Sequence, residues 1–232
     1  MDLLLSVRAE WSVLRIRLLR TRLGLWLVLV VAALLWIERA APRSDPLTTI
    51  LQAGTLSAVL CVGYLVGSGA DRAALLLPLL HPTTPGALVL GRWAAALGGA
   101  ALAVLAVAAH AAWTTGAVAA SLSAALAGLA AAAAVASCAL ALVLMGGNVL
   151  ATLFFVWLAL VGSAPPEMLI DVPHPGAVRV ALAAILEVAP APWRYRAIPT
   201  GDPGALLHAA LWVALGLAAA RSLMGRLSLS AR

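Results

Sequence analysis

Few residues in this chain are of a type and spacing that could do bond chemistry, and the ones present exclude more than they suggest. An HExxH pair one helical turn apart would point to zinc-assisted hydrolysis, a GxSxG elbow to acyl transfer and a GxxxxGK[ST] loop to nucleotide binding by that route, and none of these motifs is present. Glu167, Asp171 and Glu187 have no spacing that would make an acid–base pair. Glu187 ends an otherwise apolar segment, so it reads as a helix-end cap or as one wall of an exit. Cys61 and Cys138 lie inside apolar segments without a CxxC partner and read as small buried hydrophobes. His110 and His208 each fall within about a turn of the end of an apolar segment, where a neutral imidazole is cheap; a role in transport is the competing reading. His174 stands between two prolines and reads as solvated.

The elements that hold these residues are dictated by composition. Of 232 residues, 64% are hydrophobic and only 10% charged. A soluble domain cannot hide so much apolar surface, so the solvent for most of the chain must be lipid. The length suits about six helices of roughly 20 residues in one membrane domain. The formal charge is +6 and every basic residue is arginine. These arginines gather at the edges of apolar segments, where topology explains them and nucleic-acid binding does not.

In residues 1–22, Val7, Trp11, Leu14 and Leu18 recur at helical spacing and Arg8, Arg15 and Arg22 flank them. This predicts an amphipathic helix lying in the membrane interface, arginines toward lipid phosphates. The competing reading is a cleaved signal peptide ending near Ala40-Ala41. Spans are expected at Leu23–Ile37, Ile50–Gly69, Trp93–Trp113, Ala117–Met145, Val149–Ser163 and Ala205–Leu223. Thr114-Thr115-Gly116 reads as a tight connection and Gly146-Gly147-Asn148 as a break. Gly63 and Gly67, one turn apart, are a candidate helix-packing contact. The alanine run Ala130–Ala134 predicts a helix enclosed by others. Residues 164–204 are rich in proline. Inside them, Gly176–Val188 is too short to cross and should be a re-entrant or interface-lying helix. Trp193-Arg194-Tyr195-Arg196 reads as an interfacial anchor, rings at headgroup depth.

With the N-terminus inside, the cytoplasmic side receives Arg8, Arg15, Arg17, Arg20, Arg22, Arg72, Arg92, Arg221, Arg226 and Arg232. The outside receives Arg39, Arg43, Arg179, Arg194 and Arg196, so the count is ten against five in the direction the positive-inside rule demands. Six spans with both termini cytoplasmic follow, and residues 164–204 face outward.

Between the second and third spans lies Asp71–Trp93, DRAALLLPLLHPTTPGALVLGRW. Asp71 to Leu80 can form a short helix, with Pro82 and Pro85 as stops. Its apolar run is costly in water unless something covers it. A short rigid body held between two spans could transmit force to both.

Leu79-Leu80-His81-Pro82-Thr83-Thr84, followed by Val89-Leu90-Gly91-Arg92, resembles a stretch found in type-2 ABC exporter permeases. The layout of basic lead helix, six spans, cytoplasmic arm and re-entrant segment is similar to that family too. The resemblance implies an all-α integral membrane protein that is not itself an enzyme. It implies a permease subunit paired with a second copy or a related permease in the inner (cytoplasmic) membrane, in contact with lipids. Separate ABC ATPase subunits would bind ATP and Mg, with no cofactor in this chain. It implies coupling to the ATPase through residues 71–92, notably Asp71, Arg72, Leu76, Leu79, Leu80, His81, Pro82, Gly91 and Arg92. The interfacial helix, with Arg8, Trp11, Arg15 and Arg22, would be a second contact, and the second and fifth spans would guide the cargo. Two alternatives stand beside it: a haem-exporter B-type subunit, whose aspartate-containing segment before the arm is not evident here, and a membrane scaffold without an ATPase.

Overall fold

The computed structural model describes residues 22–40, 45–66, 84–162 and 176–229, together with Arg8, Trp11, Ser12, Arg15 and Ile16 near the N-terminus. The chain forms α1 (Arg22–Ala40), α2 (Pro46–Val66), α3 (Pro85–Thr115), α4 (Val118–Leu160), α5 (Gly176–Val188), a 3-10 helix (Pro192–Thr200) and α6 (Pro203–Leu229). There is no strand among the described residues. Five helices, α1, α2, α3, α4 and α6, are long and apolar enough to cross a membrane, which fits an all-α multi-pass membrane protein. Their outward faces carry large apolar side chains, among them Val28, Trp36, Leu211 and Leu215. Water would penalise such a surface, and hydrocarbon would not.

The helix boundaries follow from capping. The third helix starts at Pro85, not at Trp93 as the sequence suggests. Thr84 is extended and its Oγ1 accepts from the Ala87 N–H at 3.2 Å, while Pro85 sits in the first turn, where its missing N–H costs nothing. The proline read as a stop is therefore a start, and Gly91 and Arg92 belong to the rod. At its far end Gly116 takes φ +69° and its N–H closes on the Ala112 carbonyl, giving the tight turn expected into α4.

α4 is 43 residues long, and a straight helix of that length would run about 65 Å. It is not straight. Gly146 and Gly147 leave helical geometry, with φ +67° at Gly147, a conformation that suits glycine alone. Beyond the break the Gly162 carbonyl accepts from the Trp193 N–H at 3.1 Å. Two residues on from Trp193, Tyr195 lies in one cluster with Ala127, Ala131 and Ala134 from the start of α4. The two ends of α4 can meet the same short helix only if the chain turns back at the break. α4 therefore has two arms, residues 118–145 and 148–160.

α2 and the first arm of α4 form the centre. The expected enclosure of the alanine run holds at Ala131, Ala132 and Ala134, all fully buried. The close crossing there is built on Gly54 and Gly128. A Cβ on Gly54 would stand 2.6 Å from the Gly128 carbonyl oxygen, and one on Gly128 3.0 Å from Ile50 Cγ2, with Val104 of α3 pressed on both. A second crossing pairs Gly216 of α6 with Ser137, whose Oγ donates to the Trp212 carbonyl at 2.8 Å. Small residues let these backbones approach, and dispersion and hydrogen bonds then replace the missing hydrophobic drive. The glycine singled out from the sequence plays no such part: a Cβ on Gly63 would meet nothing within 4 Å. Gly67 lies outside the described residues.

Candidate functional site

The residues with hydrogen-bonding or charged groups gather at two ends and in one cleft. At the first end, α5 stops at Val188 and leaves carbonyls without partners inside the helix. Ring N–H groups supply them. Trp193 Nε1 donates to the Leu186 carbonyl at 3.0 Å, and Trp212 Nε1 to the Val188 carbonyl at 2.7 Å. His208 Nε2 lies 3.0 Å from the same Val188 oxygen, which makes Nε2 the protonated nitrogen of that imidazole. Glu187 pairs with Arg194 at 3.3 Å, and Arg196 reaches both Thr48 and Asp45, the latter at 3.7 Å, tying the start of α2 to the 3-10 helix.

This arrangement departs from the interfacial-anchor reading at Tyr195, while Trp193, Arg194 and Arg196 stay partly exposed. The Tyr195 ring is fully buried among Leu51, Ala127, Ala131, Ala134 and Ala209, and both guanidiniums engage carboxylates of the chain. Burial pushes the Tyr195 phenol well above its ordinary range; the Cys138 thiol adds to the shift and Arg194 opposes it. Glu187, exposed at the end of α5, is ion-paired with Arg194. The ion pairs are more than a third exposed, so each adds little. Asp45→Asn should change the thermal stability in detergent by about 1 kcal/mol or less.

At the opposite end, the Arg221 side chain of α6 lies over Gly86 in the first turn of α3, 3.7 Å from where its Cβ would be. Thr84 is thus at the far end of α6 from Ala209 and Trp212, which pack toward the 3-10 helix and Val188. Of the residues expected in the coupling arm, Asp71, Arg72, Leu76, Leu79, Leu80, His81 and Pro82 lie outside the described residues. Gly91 and Arg92 are described and both are buried in α3, Arg92 at 5% exposure, so neither offers a surface to a partner. Arg8, Trp11, Ser12, Arg15 and Ile16 are helical and mostly exposed, and Ser12 Oγ donates to the Arg8 carbonyl at 3.0 Å. The Trp11 ring rests on Gly98 of α3, leaving no room for a side chain there. Arg22 opens α1 and is exposed. Glu167, Asp171 and His174 lie outside the described residues, while His110 lies in the last two turns of α3.

Between the two ends, α2 and the second arm of α4 enclose a cleft of about 390 Å³. Val59, Leu60, Gly63 and Tyr64 form one wall, and Asn148, Ala151, Thr152 and Phe155 the other. Each set recurs at helical spacing and so shares one face of its helix. Gly63 matters here as an opening, since a side chain would narrow the cleft. A neighbouring cavity shares Leu60, Tyr64 and Phe155 and adds Trp26, Leu29, Val30 and Ala33 of α1. The walls are apolar with three uncharged hydrogen-bonding groups: phenol, amide and hydroxyl. Such a lining can hold an amphipathic molecule, but it has no carboxylate or imidazole for proton transfer. No cluster of His, Cys, Asp or Glu that could hold a metal occurs among the described residues.

Sequence reasoning missed Gly54, Gly128 and Tyr195. The glycines carried a signal: Gly54 with Ala58 and Gly128 with Ala132 are small pairs four residues apart, as informative as the Gly63 pair. Tyr195 carried none, because only the folded chain brings α2, α4 and α6 around it.

Fold and cleft together define a class: an all-helical chain of multi-pass membrane type with an apolar, uncharged cleft between central helices. Neither the known protein-family models nor the curated proteins match this sequence.

Proposed function

We propose that this chain is the membrane subunit of an ATP-driven ABC exporter. It pairs with a second copy or a related permease, and separate ATPase subunits drive it. Six crossings are made by α1, α2, α3, the two arms of α4, and α6, with both termini cytoplasmic and α5 at the outer face. The cleft between α2 and the second arm of α4 carries the reading, because those are the second and fifth rods, the pair the family layout assigns to cargo. A further support is that Thr84, where the arm meets α3, lies at the Arg221 end, opposite Trp193. A motor on the arginine-rich side could reach the arm there. The sequence has no GxxxxGK[ST] phosphate loop, so in this reading ATP and Mg would be bound by the partner.

The test is co-expression with the ATPase encoded nearest this gene. The two should co-purify, and replacing Leu76, Leu79 and Leu80 with serine should cut recovered ATPase at least about tenfold, the equivalent of about 1.4 kcal/mol of interface. Undiminished recovery with the serine variant would remove the arm from the mechanism. Failure of any ATPase to associate would favour the scaffold reading.

A further inference from the structure

A second groove, on the other side of α1 from the cavity it shares with α2, runs between α1 and α3 and holds about 500 Å³. Gly24, Leu27, Val31, Leu35, Leu102 and Ala106 are among its lining residues, and every lining residue is apolar or glycine. A hydrocarbon fits such a lining, and a polar ligand would lose its hydrogen bonds there. One turn below Leu102 is Gly98, on which the Trp11 ring rests, so Trp11 stands about a turn from the α3 wall of the groove. Arg8 and Arg15 stand three residues before and four after Trp11, and therefore on its face of the lead helix. Both are exposed, and neither is ion-paired to a carboxylate among the described residues.

We propose that this groove and the two arginines form a binding site for one anionic phospholipid, with an acyl chain between α1 and α3 and the phosphate on Arg8 and Arg15. Charge complementarity selects the occupant. Two exposed guanidiniums, each a turn along the helix from the Trp11 that rests near an all-hydrocarbon slot, match a lipid with a net negative headgroup, and a zwitterionic lipid brings its own cation to the same place. Trp11, an amphipathic ring at the junction, suits headgroup depth. The site needs only that the helices be in a bilayer; it does not rest on the transport reading.

The experiment is native mass spectrometry of the delipidated full chain, titrated with phosphatidylglycerol or phosphatidylcholine of identical acyl chains. One phosphatidylglycerol per chain should bind at a concentration about tenfold or more below that needed for phosphatidylcholine. Arg8→Ala with Arg15→Ala should erase the preference, and the double lysine variant should keep most of it. Ala106→Phe, at the exposed edge of the groove, should weaken both lipids. Folding of each variant is checked by its elution profile. If the double alanine variant does not fold, lipid pull-down by the unaltered chain in about 0.5 M salt replaces it, where the preference should largely vanish. Equal binding of the two lipids would overturn the proposal. So would a preference that survives the alanine pair or high salt, or lipid binding indifferent to Ala106→Phe.

Discussion

Gly128→Leu should prevent α2 and α4 from closing on each other and leave little folded protein in detergent. The substituted Cβ alone would stand 3.0 Å from Ile50 Cγ2 and 3.2 Å from the Ile50 carbonyl, and the rest of the leucine has nowhere to go. Neither helix can retreat cheaply, because Val104 of α3 presses on the same crossing. Overpacking of a tight core costs about 1–3 kcal/mol. Here two central helices must part, so a loss of about 3 kcal/mol or more is expected. Gly63→Ala is the control. It meets nothing within 4 Å and replaces glycine by a better helix former, so it should be neutral or stabilising by up to about 1 kcal/mol. Thermal unfolding followed by circular dichroism separates the two. Similar midpoints for both variants would mean that the crossing is not at Gly54 and Gly128.

Tyr195 gives the second large effect and a change of sign. Tyr195→Ala removes a fully buried ring that fills the space between α2, α4 and α6, and should cost about 3–5 kcal/mol. Tyr195→Phe keeps the ring and deletes a hydroxyl that is buried without a hydrogen-bond partner among the described residues. Removing an unsatisfied buried polar group should stabilise by about 1 kcal/mol. The opposite shifts are read in one set of thermal scans. A phenylalanine variant that melts well below the parent would show that the hydroxyl has a partner after all. The comparison also ranks what holds this end together. The ring outweighs the Arg194–Glu187 and Arg196–Asp45 pairs, because exposed ion pairs add no more than about 1 kcal/mol each.

Much of the helical layout was legible. Gly176–Val188 has the predicted bounds, Thr115-Gly116 turns where expected, and the break falls on Gly146-Gly147. Glycine and proline act locally, so their effects can be read without knowing the fold. Errors fell where one residue has two local uses. Pro85 can stop one helix or start the next, and the Thr84 cap decides for the start. The candidate cleft was only half legible. Its two rods could be named, but that Gly63 and Tyr64 line it together with Asn148 and Thr152 depends on how α2 is rotated.

Hydropathy alone points to a set of long apolar helices, because the apolar runs are continuous and far longer than the alternating segments of about ten residues that a membrane barrel uses. Residue types alone also exclude the familiar hydrolytic and nucleotide-binding motifs. Which small residues make the crossings was decided by the fold. An alanine- and glycine-rich helix offers close approach on several faces, and only the neighbours choose one. The same holds for Trp193–Arg196. Aromatic and basic residues at a membrane edge suit headgroups equally well. Here the Trp193 ring N–H serves a carbonyl that α5 leaves open, and Tyr195 turns inward among Leu51, Ala127, Ala131, Ala134 and Ala209.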